Sequence, residues 1–230
     1  MKTILLTRSD SENELAAIKI SSLGYESYRA PMISYNDLPY DFHKLHKHII
    51  ITSKHGAQLA SEHIINPLEA WVVGEESASI LQQNKNITIT GLARNLKHLM
   101  EAISLVQESE AEEFFADTVY LSGNIITQEL PHRIKCDIIY ETHYIKTLPK
   151  EVIEALQRDA INYIMVFSKN SATNLLQLLK QYDLLEYVKH STVIGISHEV
   201  ATLFSDICKK ILYSEDATFS QMLELLDADE

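Results

Sequence analysis

The chain alternates between short apolar, β-branched runs and longer stretches whose apolar positions recur at helical spacing. Strand-like runs stand at 3–7 (TILLT), 48–52 (HIIIT), 70–74 (AWVVG), 87–90 (ITIT), 118–122 (TVYLS), 162–168 (NYIMVFS), 192–196 (TVIGI) and 211–213 (ILY). Most lead through a polar turn into a helical pattern. That alternation predicts a parallel sheet with helices on its faces. Two helices are marked more sharply. Ser11 and Glu14 have capping-box spacing, Leu15, Ile18 and Leu23 form an apolar stripe, and Gly24 ends the helix. After Ser168, the run Leu175, Leu176, Leu178 and Leu179 predicts a buried helix face.

The pattern is also written twice. ILLTR at 4–8 resembles VYLSG at 119–123, and ITSKHGA at 51–57 resembles VFSKNSA at 166–172. AWVVGEESA resembles STVIGISHEVA, and GLARNLKHLMEAI resembles SEDATFSQMLELL. The offsets drift little: 168 − 53 = 115 for the serines and 195 − 74 = 121 for the glycines. Four collinear blocks point to duplication, and the period is domain-sized rather than that of a solenoid. The acidic stretch ESEAEEFF (108–115) falls between the copies and reads as a solvated helix end or loop. Two Tyr- and Ile-rich segments, 25–35 and 137–148, lie outside the alternation and near Pro31 and Pro149. Each is too long for one small strand within a domain, so they are read as a pair of connectors between domains.

Composition narrows the function classes. A chain of 230 residues, 46% hydrophobic and 23% charged, has the profile of a globular protein with a real core. A net charge of −12 argues against a broad nucleic-acid surface. It leaves room for a small anion held by a local patch or by helix N-termini. No apolar run approaches the ~20 residues of a membrane span, and the run before Arg8 is too short for a signal peptide. Two cysteines, Cys136 and Cys208, suggest neither a disulfide framework nor a metal motif, so a reduced cytoplasm is expected. His43, His46 and His48 lack paired ligands at zinc spacing and read as a solvated turn before a strand. The chain has no GxGxxG and no P-loop.

Taken together, LLTR, YRAPMI, IIITSKHGA, VVGEESA, GLARNLKHLMEAI, YLSG, YETHYIKTLP, VFSKNSA and VIGISHEVA resemble the uroporphyrinogen-III synthase family over essentially the whole chain. The resemblance implies an α/β fold of two similar parallel-sheet domains joined by a two-stranded β-ladder, with a cleft between them. One domain would hold 1–33 and 149–230 and the other 36–144, with 25–35 and 137–148 as connecting strands. It implies closure of the linear tetrapyrrole hydroxymethylbilane to uroporphyrinogen III, with loss of water and inversion of ring D. It implies no metal, no organic cofactor, and a monomer without nucleic-acid or membrane partners.

The implied substrate is a polycarboxylate, so an acidic protein must bind an acidic ligand. A strand that ends in Ser or Thr and turns into a helix offers free backbone N–H groups and the positive end of a helix dipole. Such turns supply the expected substrate-binding residues: Arg8, Thr52, Ser53, His55, Gly74, Ser77, Ser122, Gly123, Ser168, Asn170, Ser171, Gly195, Ser197 and His198. Each has a plainer alternative. Ser53 and Ser168 can simply cap helices, Gly74 and Gly195 can simply permit turns, and Arg8 can pin its own loop. Glu75 and Glu76 weaken the Gly74 turn for an anion relative to Gly195. Ser77 stands where the family often has Thr, and Ser197–His198 where it often has a Thr pair. The family's arginine after the YLSG glycine is replaced by Asn124-Ile125-Ile126-Thr127. Tyr144 matches the family's connector tyrosine, a candidate proton donor, or it packs as a strand tyrosine. Two rival readings share the duplicated units: a non-catalytic two-domain protein that closes over a small ligand, and an inactive synthase homologue.

Overall fold

The structure is a computed structural model that describes residues 2–43, 47–104, 108–126 and 133–227. The chain divides into two compact units, Met1–Ser34 with His143–Glu230, and Tyr35–Thr142. The first unit is built on a five-stranded sheet. Its strands are β1 (Thr3–Leu6), β2 (Glu26–Arg29), β9 (Tyr163–Val166), β10 (Thr192–Gly195) and β11 (Lys210–Tyr213), in the order β11-β10-β9-β1-β2. Every pairing in it is parallel. The second sheet has six strands: β3 (Ile33–Asp37), β4 (His48–Ile51), β5 (Leu68–Val73), β6 (Ile87–Ala93), β7 (Thr118–Gly123) and β8 (Lys135–Tyr144), in the order β3-β8-β7-β4-β5-β6.

Laid over the repeat, the strand orders show how the copies combine. The first copy holds β1, β2, β4, β5 and β6; the second holds β7, β8, β9, β10 and β11. Reading 11-10-9-1-2 against 6-5-4-7-8 matches every block of the repeat to its counterpart. Each sheet therefore takes two leading strands from one copy and three trailing strands from the other, and the second sheet adds β3 at its edge, which has no counterpart in the first. The junctions are the parallel pairs β1–β9 and β4–β7, where the strand order reverses.

Both sheets are covered on two faces, as buried parallel strands require. In the first unit Leu5, Ile164, Val166 and Val193 pack with Val152, Ala155 and Leu156 of α6 (Lys150–Gln157) and Leu175, Leu178 and Leu179 of α7 (Lys169–Gln181). Ile4, Leu6, Tyr163, Met165 and Ile194 face the other way, onto α1 (Asp10–Ser22) and α9 (Phe219–Asp227). In the second unit Ile49, Ile51, Val72, Val119 and Leu121 lie under α2 (Lys54–His63) and α3 (Glu75–Leu81). Ile50, Trp71 and Tyr120 lie under α4 (Leu96–Ser104) and α5 (Glu108–Ala116). The acidic stretch 108–115 thus belongs to a helix, with Phe114 buried in that core.

Several expectations are corrected. The segment 25–35 is two strands, β2 and β3, interrupted at Ala30–Met32, and they belong to different sheets. Within the six-stranded sheet β3 runs beside β8: Leu38 N–H donates to Ile139 O, and Ile145 N–H donates to Met32 O. Position rises along one strand as it falls along the other, so this pair is antiparallel and the sheet is mixed. The helix after β1 starts two residues earlier than the capping-box spacing predicts. Ser9 is its N-cap, and Ser9 Oγ donates to Glu12 Oε2 at 2.8 Å. Its expected apolar stripe is exposed, with Leu15 63%, Ile18 64% and Leu23 47% accessible. Asn13, Ala16 and Ile20 are buried instead. Gly24 does end the helix: at φ +84° it lets Tyr25 N–H reach Ile20 O and Gly24 N–H reach Ser21 O, two carbonyls the helix leaves open. His48 is not in a solvated turn. It is the first residue of β4, stacked at a tilt on Phe114, with Nδ1 3.3 Å from Glu69 Oε2. His43 is exposed in the preceding turn, and His46 lies outside the described residues.

The inverted burial of α1 predicts a sharp contrast. Ile20→Ala should cost about 2–5 kcal/mol of unfolding free energy, as deleting a fully buried branch does. Leu15→Ala and Ile18→Ala should stay within about 0.5 kcal/mol of the parent. Urea unfolding of the variants reads this directly, and a large loss at Leu15 would restore the sequence reading of that face.

Candidate functional site

In a parallel sheet every strand points its carboxyl end to the same edge, and ligands of open α/β folds bind there at the strand reversal. Here the reversal in each unit lies between strands of different copies, and the expected site residues gather around it. In the first unit Arg8, Ser168, Asn170, Ser171, Gly195, Ser197 and His198 sit at or just past the ends of adjacent strands β1, β9 and β10. In the second, Thr52, Ser53, His55, Gly74, Ser77, Ser122 and Gly123 sit at or just past the ends of β4, β5 and β7. Tyr144 is the last residue of β8 and half-buried.

The two Ser-Lys turns are built alike. Ser53 takes an extended backbone and its Oγ accepts the Gly56 N–H at 3.1 Å, capping α2. Ser168 does the same with the Ser171 N–H at 3.1 Å, capping α7. Both lysines are paired to a glutamate of the next helix in their sheet: Lys54 with Glu76, and Lys169 with Glu199 at 2.9 Å. Neither is placed to act as a base, and each ion pair ties one helix start to the next.

The surroundings of the serines differ. Tyr140, in β8 beside Gly123 at the end of β7, donates its hydroxyl to Ser53 Oγ at 2.9 Å. Burial pushes the Tyr140 phenol above its ordinary range, so it keeps its proton. The His55 ring stacks on Tyr35 at 4.2 Å, meets Tyr140 edge-on at 4.7 Å, and lies with Nε2 2.6 Å from Asp37 Oδ1. Thr52 Oγ1 and the Tyr120 hydroxyl are 2.7 Å apart. Tyr35, Asp37, Tyr120 and Tyr140 are not among the residues that the sequence places at this site. Their signal is present, since Tyr35 and Tyr140 lie in the two connector segments, but connectors draw notice for their length rather than their chemistry.

Other expected residues are engaged inside the fold. Arg8 has a side chain 16% exposed: its Nε is 3.4 Å from Glu12 Oε1, and its guanidinium lies 4.4 Å from the Phe167 ring centre. Its backbone is clasped by Asn13, whose Oδ1 accepts the Arg8 N–H and whose Nδ2 donates to the Arg8 carbonyl. That geometry fits pinning of the loop. Ser122 is buried and donates to the Gly123 carbonyl at 3.1 Å. A Cβ on Gly123 would stand 2.5 Å from the Tyr140 ring, so this glycine makes room for the tyrosine. Ser77 is buried in α3. Ser197 precedes the single turn α8 (His198–Ala201) without a side-chain cap, and the exposed His198 meets the Tyr213 ring edge-on at 4.9 Å.

Gly74 and Gly195 hold the same place in the two copies for different reasons. Gly74 has φ +89° with open space where a Cβ would point. Gly195 is in ordinary extended backbone, but its Cβ would sit 2.7 Å from Ala201 N and 2.9 Å from Ala201 Cα. The glycine is there so that α8 can close on the strand end.

The model of the uroporphyrinogen-III synthase HemD family matches residues 14–224. The chain belongs to the uroporphyrinogen-III synthase family. An uncharacterized protein of Rickettsia prowazekii (strain Madrid E) is 26% identical, with 98% of each chain covered. The fold is that of solved family members. A uroporphyrinogen-III synthetase from Helicobacter pylori 26695 superposes with TM-score 0.60 at 16% identity over all of both chains. A mutant uroporphyrinogen III synthase from the extremely thermophilic bacterium Thermus thermophilus gives 0.54 at 12% identity, with 99% of this chain and 98% of that chain covered. Family and fold together support a synthase-like function for this chain.

The close approach at Gly195 yields a stability prediction. Gly195→Ala should lower unfolding free energy by about 1–3 kcal/mol, because a backbone atom rather than a flexible side chain must move. Denaturant midpoints check it, and an unchanged midpoint would show that α8 is free to shift.

Proposed function

We propose that this chain is a uroporphyrinogen-III synthase, closing hydroxymethylbilane to uroporphyrinogen III with loss of water and inversion of ring D. The observation that carries this reading is the family match over residues 14–224. The duplicated strand-end hydroxyls and helix starts support it, because they suit a ligand with carboxylates along its length. In this reading Thr52, Ser53, His55, Ser168, Asn170, Ser197 and His198 contact the bilane directly. Gly74, Ser77, Ser122, Gly123, Ser171 and Gly195 shape the turns, and Arg8 holds its loop for them.

The chemistry asks little of the protein beyond pose and a proton. Tyr144 gives its phenolic proton to the departing hydroxide, and water leaves. The electron-rich pyrrole stabilises the resulting azafulvene cation. Attack by the substituted carbon of ring D gives a spiro intermediate. The bond from that carbon to its original bridge then breaks, and the bridge rejoins at the ring's unsubstituted carbon. The proton lost there returns to the Tyr144 phenolate, leaving the ring inverted. Positioning carries most of the barrier reduction, since the same bilane must be kept from closing directly. The protein acts as a cytoplasmic monomer without metal or organic cofactor.

Purified protein given freshly made hydroxymethylbilane, followed by oxidation and separation of the porphyrin isomers, should yield the type III isomer. Type I alone rejects the synthase reading. Tyr144→Phe should lower kcat about tenfold to a hundredfold without abolishing it; full turnover in that variant removes the acid role from Tyr144.

A further inference from the structure

The two repeat-related serines are wired with opposite hydrogen-bond polarity. A serine hydroxyl has two lone pairs and one proton. At Ser53 both lone pairs are engaged, one by the Tyr140 hydroxyl at 2.9 Å and one by the Gly56 N–H at 3.1 Å. What remains is the Ser53 proton. At Ser168 the proton is spent on Ser171 Oγ at 3.0 Å, and one lone pair takes the Ser171 N–H. What remains is a lone pair.

The cause is one residue. Ser171 occupies the repeat position of Gly56, and its hydroxyl receives the Ser168 proton. A Cβ at Gly56 would stand 2.8 Å from Ser53 Oγ and 3.8 Å from Tyr140 Cε1. The glycine thus keeps the space in which the Tyr140–Ser53 bond forms. Gly123 clears the other side of the same ring. Burial keeps the Tyr140 proton in place for donation.

We propose that Tyr140 is a positioning residue that makes Ser53 a donor-only hydroxyl for a carboxylate arm of the tetrapyrrole, while Ser168 stands as the acceptor copy, suited to a pyrrole N–H. This rests on the synthase reading and deepens it. A hydroxyl with no free lone pair gains nothing from a ligand N–H and gains a charge-assisted bond from a carboxylate. The duplicated turn therefore reads two different groups with the same residue type.

The test is a double-mutant cycle on the full chain, with KM and kcat for hydroxymethylbilane and the thermal midpoint of each variant. Ser53→Ala should raise KM about tenfold, the scale of one hydrogen bond to a charged group. Ser53→Thr, which keeps the hydroxyl, should restore most of it. Tyr140→Phe should raise KM in the same direction, and in the Ser53→Ala background it should add nothing. If the two losses multiply instead, Tyr140 does not act through Ser53 and the proposal falls. An unchanged KM in Ser53→Ala overturns it equally. Gly56→Ser, which writes the second copy's wiring into the first, gives an independent reading: it should raise KM as Ser53→Ala does. Type I product alone from the parent protein rejects the synthase reading itself, whereas a type III-forming parent with an additive cycle rejects only the polarity assignment.

Discussion

The structure depends on two parallel strand pairings that join the copies of a duplicated sequence. β1 lies against β9, and β4 against β7, so the middle of each sheet is a contact between copies. Neither trailing set of strands could cover its sheet centre without the leading strands of the other copy. Side chains reinforce the first junction across a long sequence separation. Thr7 Oγ1 donates to Met165 O, and Thr3 N–H donates to Asn162 Oδ1. A parallel pairing of such separated segments carries a loop-closure cost, met here by strands buried on both faces. The same exchange sets the strand reversals, and with them where strand-end hydroxyls collect.

Duplication supplies the scaffold twice, but the copies keep different parts of it. Both retain the serine cap and the lysine–glutamate tie between neighbouring helices. They diverge where one atom of space matters. Gly56 leaves room for Tyr140 to reach Ser53, while Ser171 fills that room and takes the serine's proton. Gly74 relieves a left-handed backbone, whereas Gly195 relieves a contact with Ala201. Equal residues in aligned blocks thus answer unequal physical demands.

Much of the fold was legible because parallel strands buried on both faces leave long apolar runs bounded by turns. The runs at 118–122 and 192–196 became β7 and β10 with little change. The face of α1 was not legible, and the reason is Asn13. Its side chain closes on both the N–H and the carbonyl of Arg8, which draws a polar residue inward. Ala16 and Ile20 follow it on the same face, and Leu15 and Ile18 turn outward. Periodicity scores an asparagine as solvent-facing and cannot register a local bond that reverses the helix. The cluster around His55 was hidden differently. Tyr35, Asp37 and Tyr140 lie far from Ser53 in sequence or in a segment read as a connector, and only strand register brings them to one edge.

In the proposed function a chain of net charge −12 holds a polycarboxylate, and it must do so without an excess of cations. The arginine and lysines that directly follow Thr7, Ser53 and Ser168 are already committed: Arg8 to Glu12 and Phe167, Lys54 to Glu76, Lys169 to Glu199. What these three turns still offer is neutral. It consists of hydroxyl protons, backbone N–H groups of first helical turns, and the dipoles of α2 and α7, neither of which carries an acidic residue in its first turn. Neutral donors hold a carboxylate by direction rather than by charge, since each bond weakens steeply as its angle departs from linear. In the proposed reaction the outcome is decided by which carbon of one ring is presented, and there directional contacts are the better instrument. A flexible cation would bind the same carboxylate in many poses and so would fix the presented carbon less tightly.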